Sequence, residues 1–327
     1  MIPWRRLDAI FIQIAAYRDP DLPRTIRSAL DQAARPSRLR FGICHQVDAA
    51  TSTDLDEWRD DRRFSIDSVP STLSRGVGWA RNRAQARYDD EPYLLQIDAH
   101  MRFAESWDDR YITMLHSVES ERPILTNYPL GFVAGPDGTS RLDGDGSPHH
   151  VMLDASRAPG SLRQRGALAD EGGRPGRHPF VAAGHLFTVG RFCRDVPYDP
   201  DIYFVGEEIS LALRAYTHGY DLYYPHEHLL WHWYDHGAPL HWQDHPDHSD
   251  LHHRSADRVR RLLQGDDAGF GRYGLGRRRT AEAFEHLVGV PLPPDGYVCA
   301  ECDHDGRPLA GRRSSGYVAV NAGRGSG

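Results

Sequence analysis

The chain has 327 residues, 39% of them hydrophobic and 26% charged, a balance typical of a globular protein large enough to bury a sizeable core. Its net charge of -7 argues against a general nucleic-acid-binding protein, which would need a basic face. All 39 basic residues are arginine, a composition that suggests a high-GC bacterial genome.

The first residues do not resemble a signal peptide, because their apolar run is short, is interrupted by Gln13 and is followed at once by charges. No stretch approaches the roughly 18 apolar residues of a membrane span. The four cysteines do not form the framework of a secreted, disulfide-rich domain. We therefore expect a cytoplasmic protein without a membrane partner.

The first 127 residues alternate between strand-like and helix-like segments. The predicted strands are 9–15, 40–46, 64–69, 93–97 and 124–127, and the predicted helices are 22–34, 76–87 and 107–119. This alternation predicts an α/β sheet with helices on both faces. Ligands of such sheets bind beyond the carboxyl ends of the strands, where Arg18, Gln46 and Asp98 fall.

Residues 131–178 are rich in Gly, Asp, Pro, Arg and His and have little periodicity. We interpret them as an irregular acceptor-side loop inserted in one catalytic domain, residues 1–295. Regular strands and helices are predicted again after this stretch, at 180–189, 208–218, 222–224, 229–233, 254–263 and 280–287. Residues 296–327 are expected to form a partly mobile tail.

The motif Gln96-Ile97-Asp98-Ala99-His100 follows an apolar strand and delivers a carboxylate and, two residues later, an imidazole. Carboxylate oxygen and neutral imidazole together suit manganese or a similar divalent ion such as magnesium. Such an ion neutralises charge on a departing nucleoside diphosphate. The alternative is that Asp98 caps the next turn and His100 is a surface residue.

Two further segments carry candidate functional groups. Glu207 and Glu208 follow Gly206 directly before a helix, where they could contact a sugar or acceptor hydroxyl, or serve only as favourable helix N-terminal charges. His232 lies in the apolar run Leu230-Trp231-His232-Trp233-Tyr234 and is the best candidate for a third metal ligand, with a hydrogen-bonded core histidine as the alternative. The histidines of 236–253 are expected to line a solvated loop.

A glycine-rich turn at Arg75-Gly76 opens a helix whose first turns carry Arg81 and other arginines. Free backbone N–H groups and guanidinium groups in this position can receive phosphate or ribose oxygens, although a solvated arginine face is an equal alternative. Cys299 and Cys302 are spaced like half of a zinc site, but structural zinc needs four ligands and no second pair is present.

The order of these segments resembles the glycosyltransferase family 60 enzymes, the GlcNAc transferases that modify hydroxyproline on Skp1. The likeness runs from about residue 9 to residue 290 and is carried by IFIQIAAYRD, FGICHQ, RGVGWARNRAQ, LLQIDAHMRF, FVGEEISLALRAYTHGY and LLWHWY. It implies a GT-A fold, a UDP-sugar donor, a divalent metal and retention of anomeric configuration. The family is distantly similar to the polypeptide GalNAc transferases, which also use D-x-H.

The resemblance implies a role for individual positions. Asp98 and His100 match the D-x-H metal motif, and His232 matches the later histidine. Glu207 and Glu208 match the G-E-E segment expected near the donor sugar and acceptor. The residues expected around the nucleotide are Ala15, Tyr17, Arg18, Gln46, Arg75, Gly76, Arg81, Gln96 and Asp98.

His185 departs from the family pattern, since it stands in G-H-L-F where G-F-x-F is expected. The resemblance therefore predicts the class of sugar donor better than it predicts the acceptor. The acceptor could be a peptide, a glycan or a small molecule with a hydroxyl group. Two other functions compete with sugar transfer. One is a metal-dependent sugar-nucleotide hydrolase or phosphoesterase with two ions bound in the histidine-rich segment from His226 to His253. The other is a non-catalytic nucleotide-sugar-binding module. The oligomeric state is left open.

Overall fold

The computed structural model describes residues 8–48, 55–135, 139–144, 146–153, 162, 164–169, 172–289 and 292. The helices in these ranges are α1 (Leu22–Asp31), α2 (Asp56–Arg59), α3 (Val77–Gln85), α4 (Trp107–His116), α5 (Phe192–Asp195), α6 (Glu207–Thr217), α7 (His241–Asp244), α8 (His248–Leu263) and α9 (Ala281–Val288). The strands are β1 (Ile10–Tyr17), β2 (Leu39–Val47), β3 (Phe64–Pro70), β4 (Tyr93–Ile97), β5 (Met101–Phe103), β6 (Pro123–Thr126), β7 (Leu130–Ala134), β8 (Ser140–Leu142), β9 (His149–Leu153), β10 (Gln164–Leu168), β11 (Gly176–Arg177), β12 (His185–Val189), β13 (Asp221–Tyr224) and β14 (Leu230–His232).

Eight strands form a central sheet in the order β11-β13-β6-β12-β4-β1-β2-β3. β4, β1, β2 and β3 run parallel to one another, and β13 runs parallel to β6. β12 lies antiparallel between β4 and β6, so the sheet is mixed. The predicted α/β sheet is present, and every strand predicted in the first 127 residues is found within two residues of its predicted bounds.

Helices cover both faces of this sheet because its strands place apolar side chains alternately on each side. In β1, Phe11 belongs to a core cluster that also contains side chains of α6 and α8. Ile10, Ile12 and Ile14 belong to a second cluster with α1 and α4. The predicted arrangement of helices on two faces is confirmed.

A smaller sheet of order β5-β14-β7-β8 lies beside the central one, and β9 pairs with β10. These strands correct the prediction that residues 131–178 are irregular, since β8 to β11 and most of β7 fall in that range. Each has only two to five residues, so none carries enough alternating apolar positions to be recognised from the sequence. The pairing partners of β7 and β11 lie far along the chain, in β14 and β13.

The prediction of a solvated loop at 236–253 is also wrong, because α7 and the first turns of α8 occupy much of it. His245, His248 and His252 are buried there. The abundance of Asp, His and Pro hides the helical periodicity in this stretch. The proposed tail, with Cys299 and Cys302, lies outside the described residues. None of the helices described is both long and apolar enough to cross a membrane.

Candidate active site

A cavity of about 430 Å³ opens at the carboxyl ends of β1, β2 and β4, as expected for an α/β sheet. Ten of the residues singled out in the sequence line it. They are Ala15, Tyr17, Gln46, Gly76, Arg81, Asp98, His100, Glu207, Glu208 and His232. The volume is in the range of small-molecule sites in proteins.

Three of the predicted nucleotide contacts lie outside the cavity wall. Arg75 is exposed at the surface, before α3 begins. Gln96 is buried within the sheet, where its side-chain amide contacts Gln13, Ala183 and Tyr198. Gln96 precedes Asp98 by two residues, the repeat of an extended strand. Its side chain therefore lies on the same side of the sheet as Asp98 but further from the carboxyl end of β4.

Arg18 is the third of these residues. Its backbone adopts a left-handed conformation with φ of 49°, and its guanidinium pairs with Asp48 and Asp244 instead of entering the cavity. The same Asp244 carboxylate accepts a hydrogen bond of 2.7 Å from the hydroxyl of Tyr17, which does line the cavity. Arg18 thus fastens α7, the helix that contains Asp244, to the end of β1.

The metal candidates Asp98, His100 and His232 converge although 132 positions separate the two histidines. Strand pairing explains their approach: His232 of β14 is in register with Met101 of β5, and Trp233 N donates to the carbonyl oxygen of His100. His232 Nε2 lies 2.9 Å from His100 Nε2 and 3.3 Å from Asp98 Oδ2.

One oxygen and two nitrogens of these side chains lie within 4.8 Å of one another. This donor set fits a divalent cation such as manganese, for which carboxylate and neutral imidazole are suitable ligands. Gly184 supports the arrangement, because a Cβ at that position would lie 2.6 Å from Asp98 Oδ2. A glycine therefore leaves room for the carboxylate.

A buried arginine links the metal candidates to the acid pair. Arg81 Nη2 donates to Asp98 Oδ1 at 2.8 Å, and its Nε lies 3.1 Å from Glu207 Oε1. Burial opposes ionisation of Asp98, but the hydrogen bond from His232 and the charge of Arg81 outweigh it and hold the pKa of Asp98 below its usual value. Asp98 is thus kept as a carboxylate.

Glu207 and Glu208 have different surroundings although they are adjacent at the start of α6. Glu207 forms an ion pair with Arg81. Glu208 instead accepts hydrogen bonds from Ala183 N at 2.9 Å and from the Tyr128 hydroxyl. Desolvation raises the pKa of Glu208 to about 7, against the lowering effect of those two donors. Glu208 is therefore poised to gain or lose a proton near neutral pH.

Several other residues that line the cavity were not predicted from the sequence. Asp19 and His236 form a second candidate metal cluster that shares His100 with the first. Phe204, Leu240 and Trp242 add apolar surface at the cavity wall. Leu162, which precedes β10, and Gln164, the first residue of β10, also line the cavity. Asp19 follows β1 directly, and this position at the carboxyl edge of the sheet was the signal that could have identified it.

The mixed α/β fold is of the GT-A class, and comparisons with known proteins show the family to which the chain belongs. The family model Glycosyltransferase (GlcNAc) matches residues 9–57 and 52–292. The chain belongs to that family. A comparison with curated protein sequences found no match.

Many solved protein chains are similar to this chain, and two of them illustrate the likeness. Crystalline GalNAc-T7 with UDP, GalNAc and Mn²⁺ has a TM-score of 0.55 and 15% sequence identity, over 86% of this chain and 55% of its own. S. aureus TarS 1-349 in complex with UDP-GlcNAc has a TM-score of 0.49 and 13% identity, over 81% of this chain and 69% of its own. This chain thus spans little more than half of the GalNAc-T7 chain, and at these identities the likeness concerns the fold.

Proposed function

We propose that this protein transfers a sugar, with GlcNAc as the best candidate, from a UDP-sugar to an acceptor hydroxyl with retention of anomeric configuration. The observation that carries the proposal is the convergence of Asp98, His100 and His232 in the wall of the cavity. Membership of the Glycosyltransferase (GlcNAc) family supports GlcNAc as the donor sugar. The likeness of the motifs to family 60 supports retention.

The three metal candidates would hold a divalent cation, with Mn²⁺ as the first choice. Such an ion supplies positive charge for the pyrophosphate of the departing UDP. The GalNAc-T7 structure that shares this fold contains UDP and Mn²⁺, which supports the same pair of ligands here. Arg81 contributes by holding Asp98 Oδ1 at 2.8 Å, so that the second oxygen of the carboxylate stays directed toward His232.

Other cavity residues would bind and orient the two substrates. Ala15, Tyr17, Gln46 and Gly76 form the wall at the ends of β1 and β2 and the start of α3, where we place the nucleotide. Glu208 of α6 also lines the cavity. When it is ionised, it can accept a hydrogen bond from a sugar or acceptor hydroxyl. Glu207 is held by Arg81 and serves to keep that arginine in place.

The proposal is tested by a donor screen that measures UDP released from UDP-GlcNAc, UDP-Glc, UDP-Gal and UDP-GalNAc with Mn²⁺. We expect UDP-GlcNAc to be turned over fastest, even by slow hydrolysis without acceptor, and chelation or Asp98→Ala to reduce the rate at least 100-fold. Glu57→Gln is the control, because Glu57 pairs with Arg27 at the surface and does not line the cavity. Full activity in chelator and in Asp98→Ala would contradict the metal assignment.

The cytoplasmic location and the absence of a nucleic-acid partner stay predictions from composition. The acceptor is proposed only as a hydroxyl-bearing peptide, glycan or small molecule.

A further inference from the structure

His100 belongs to two candidate metal clusters, and its two ring nitrogens face different partners. Nδ1 lies 2.7 Å from Asp19 Oδ2, while Nε2 lies 2.9 Å from His232 Nε2. One cluster combines His100 with Asp98 and His232, and the other combines it with Asp19 and His236. The location of the proton on this ring decides which cluster can accept a cation.

A neutral imidazole has one N–H donor and one nitrogen lone pair, so it offers a single nitrogen to a metal. Asp19 as a carboxylate can only accept hydrogen bonds. The 2.7 Å contact therefore requires a proton on Nδ1 of His100, and in the neutral ring the lone pair is then on Nε2. That lone pair faces His232 and the Asp98 side of the cavity.

The Asp19 carboxylate is itself fixed by the backbone. Its Oδ1 accepts a hydrogen bond of 2.8 Å from Asp21 N, in the turn that joins β1 to α1. The side chain is only 4% exposed, so water competes little for Oδ2.

The position of His236 indicates ring stacking on His100 more than joint binding of a cation with it. The two rings stack with centroids 4.0 Å apart and planes inclined by 21°. His236 Nδ1 accepts a hydrogen bond of 3.0 Å from Ala238 N, which orients the ring from its own loop. An ion bound by Asp19 and His236 together with His100 would have to take Nδ1, the nitrogen that carries the proton.

We propose that Asp19 is a positioning residue for the cation site, which holds His100 with its proton on Nδ1 and its Nε2 lone pair directed toward Asp98 and His232. The inference rests on the proposed function, since it assumes a cation at the first cluster. A carboxylate that accepts the second ring N–H of a metal-binding histidine fixes both its tautomer and its orientation, and its loss typically weakens metal binding 10- to 100-fold.

Two measurements test this role. In apoprotein with ¹⁵N-labelled histidine, nuclear magnetic resonance should find His100, assigned by the His100→Gln variant, as the Nδ1–H tautomer, and Asp19→Ala should change that tautomer population. Mn²⁺ titration followed by electron paramagnetic resonance should give one ion per wild-type chain and about 10- to 100-fold weaker binding by Asp19→Ala. Asp19→Asn should lose less, because its amide oxygen still accepts from Nδ1–H.

Asp199→Asn is the matched control, a buried carboxylate that pairs with Arg258 and does not line the cavity. It should change Mn²⁺ affinity less than threefold, and thermal unfolding in chelator should show that all variants are folded. His236→Gln should likewise retain one ion, at an affinity within about threefold of wild type.

Three results would overturn the inference. If Asp19→Ala kept wild-type Mn²⁺ affinity and an unchanged His100 tautomer, the positioning role of Asp19 would be refuted. The proposed cation site would not be affected by that result. A second ion per wild-type chain, lost in both Asp19→Ala and His236→Gln, would make Asp19 a ligand and favour the two-metal hydrolase. Failure of the wild-type protein to bind Mn²⁺ at all would instead refute the proposed cation site itself.

Discussion

Glu208 places in the cavity wall a carboxylate whose charge changes near neutral pH. Its pKa rises to about 7 because burial disfavours the ionised form more than the Tyr128 hydroxyl and Ala183 N–H favour it. In the unfolded chain the same group ionises near 4.5. The folded state therefore binds this proton more tightly, and the resulting stabilisation is complete below about pH 4.5 and lost as the pH rises through 7.

We predict that Glu208→Gln removes this pH dependence, because the amide resembles the protonated acid at every pH. In chelator, wild-type protein should lose on the order of 1–2 kcal/mol more unfolding free energy between pH 5 and pH 8 than Glu208→Gln loses. Urea unfolding at the two pH values measures both changes. Parallel losses in the two proteins would show that Glu208 ionises normally in the folded state.

The residues of the site were predictable where a strand end or a compact motif marks them. Asp98 and His100 follow β4 directly, and their motif identifies them without the fold. His232 was a candidate because it lies in an apolar run, but its approach to His100 depends on the pairing of β14 with β5, which the local sequence does not indicate. The role of Gln96 stays a prediction, and its proximity to Asp98 in the sequence did not indicate that its side chain contacts Gln13 within the sheet.

At the scale of elements, α3 is held against the segment before α6 by a close backbone approach. Val77 N donates to Tyr203 O at 2.9 Å, and a Cβ on Gly78 would lie 2.2 Å from Ile202 O. Gly76 has φ of 100°, a left-handed conformation that favours glycine. These contacts join the wall that contains Arg81 to the wall that contains Glu207 and Glu208.

We predict that Gly78→Ala destabilises the protein by about 2 kcal/mol, although alanine is by itself the better helix former by about 1 kcal/mol. The new methyl group meets backbone oxygens, which cannot rotate away as a side chain could. Gly172→Ala is the control, since a Cβ there meets nothing within 4 Å, and it should change unfolding free energy by less than about 0.5 kcal/mol. Stabilisation by Gly78→Ala in urea unfolding would contradict the packing described.

The long elements of the sheet and its two helical layers were predictable because their apolar periodicity extends over many residues. The strands between residues 131 and 178 were not, since each is short, and β7 and β11 also pair with β14 and β13, which lie far along the chain. The same holds for α7, a four-residue helix. It is tied to β1 through Asp244, which contacts Tyr17 and Arg18.

At the scale of the whole molecule, the site depends on chain segments that span more than 200 residues. Asp98 comes from the end of β4 in the central sheet, His232 from β14 in the smaller sheet, and Glu208 from α6. The two sheets meet where β4 is followed by β5, the partner of β14. The GT-A fold predicted from the resemblance is confirmed, and it assembles these groups around one cavity.

Calorimetric titration of UDP into the protein, with Mn²⁺ and with chelator, tests the cation site most directly. If the cation lies between the three side chains and the pyrophosphate, Mn²⁺ and UDP must strengthen each other's binding by the same factor. We predict that UDP binds at least 10-fold more tightly with Mn²⁺, and that His232→Ala abolishes this gain while it remains folded. Equal UDP affinity with and without Mn²⁺, or an undiminished gain in His232→Ala, would contradict a cation held by Asp98, His100 and His232.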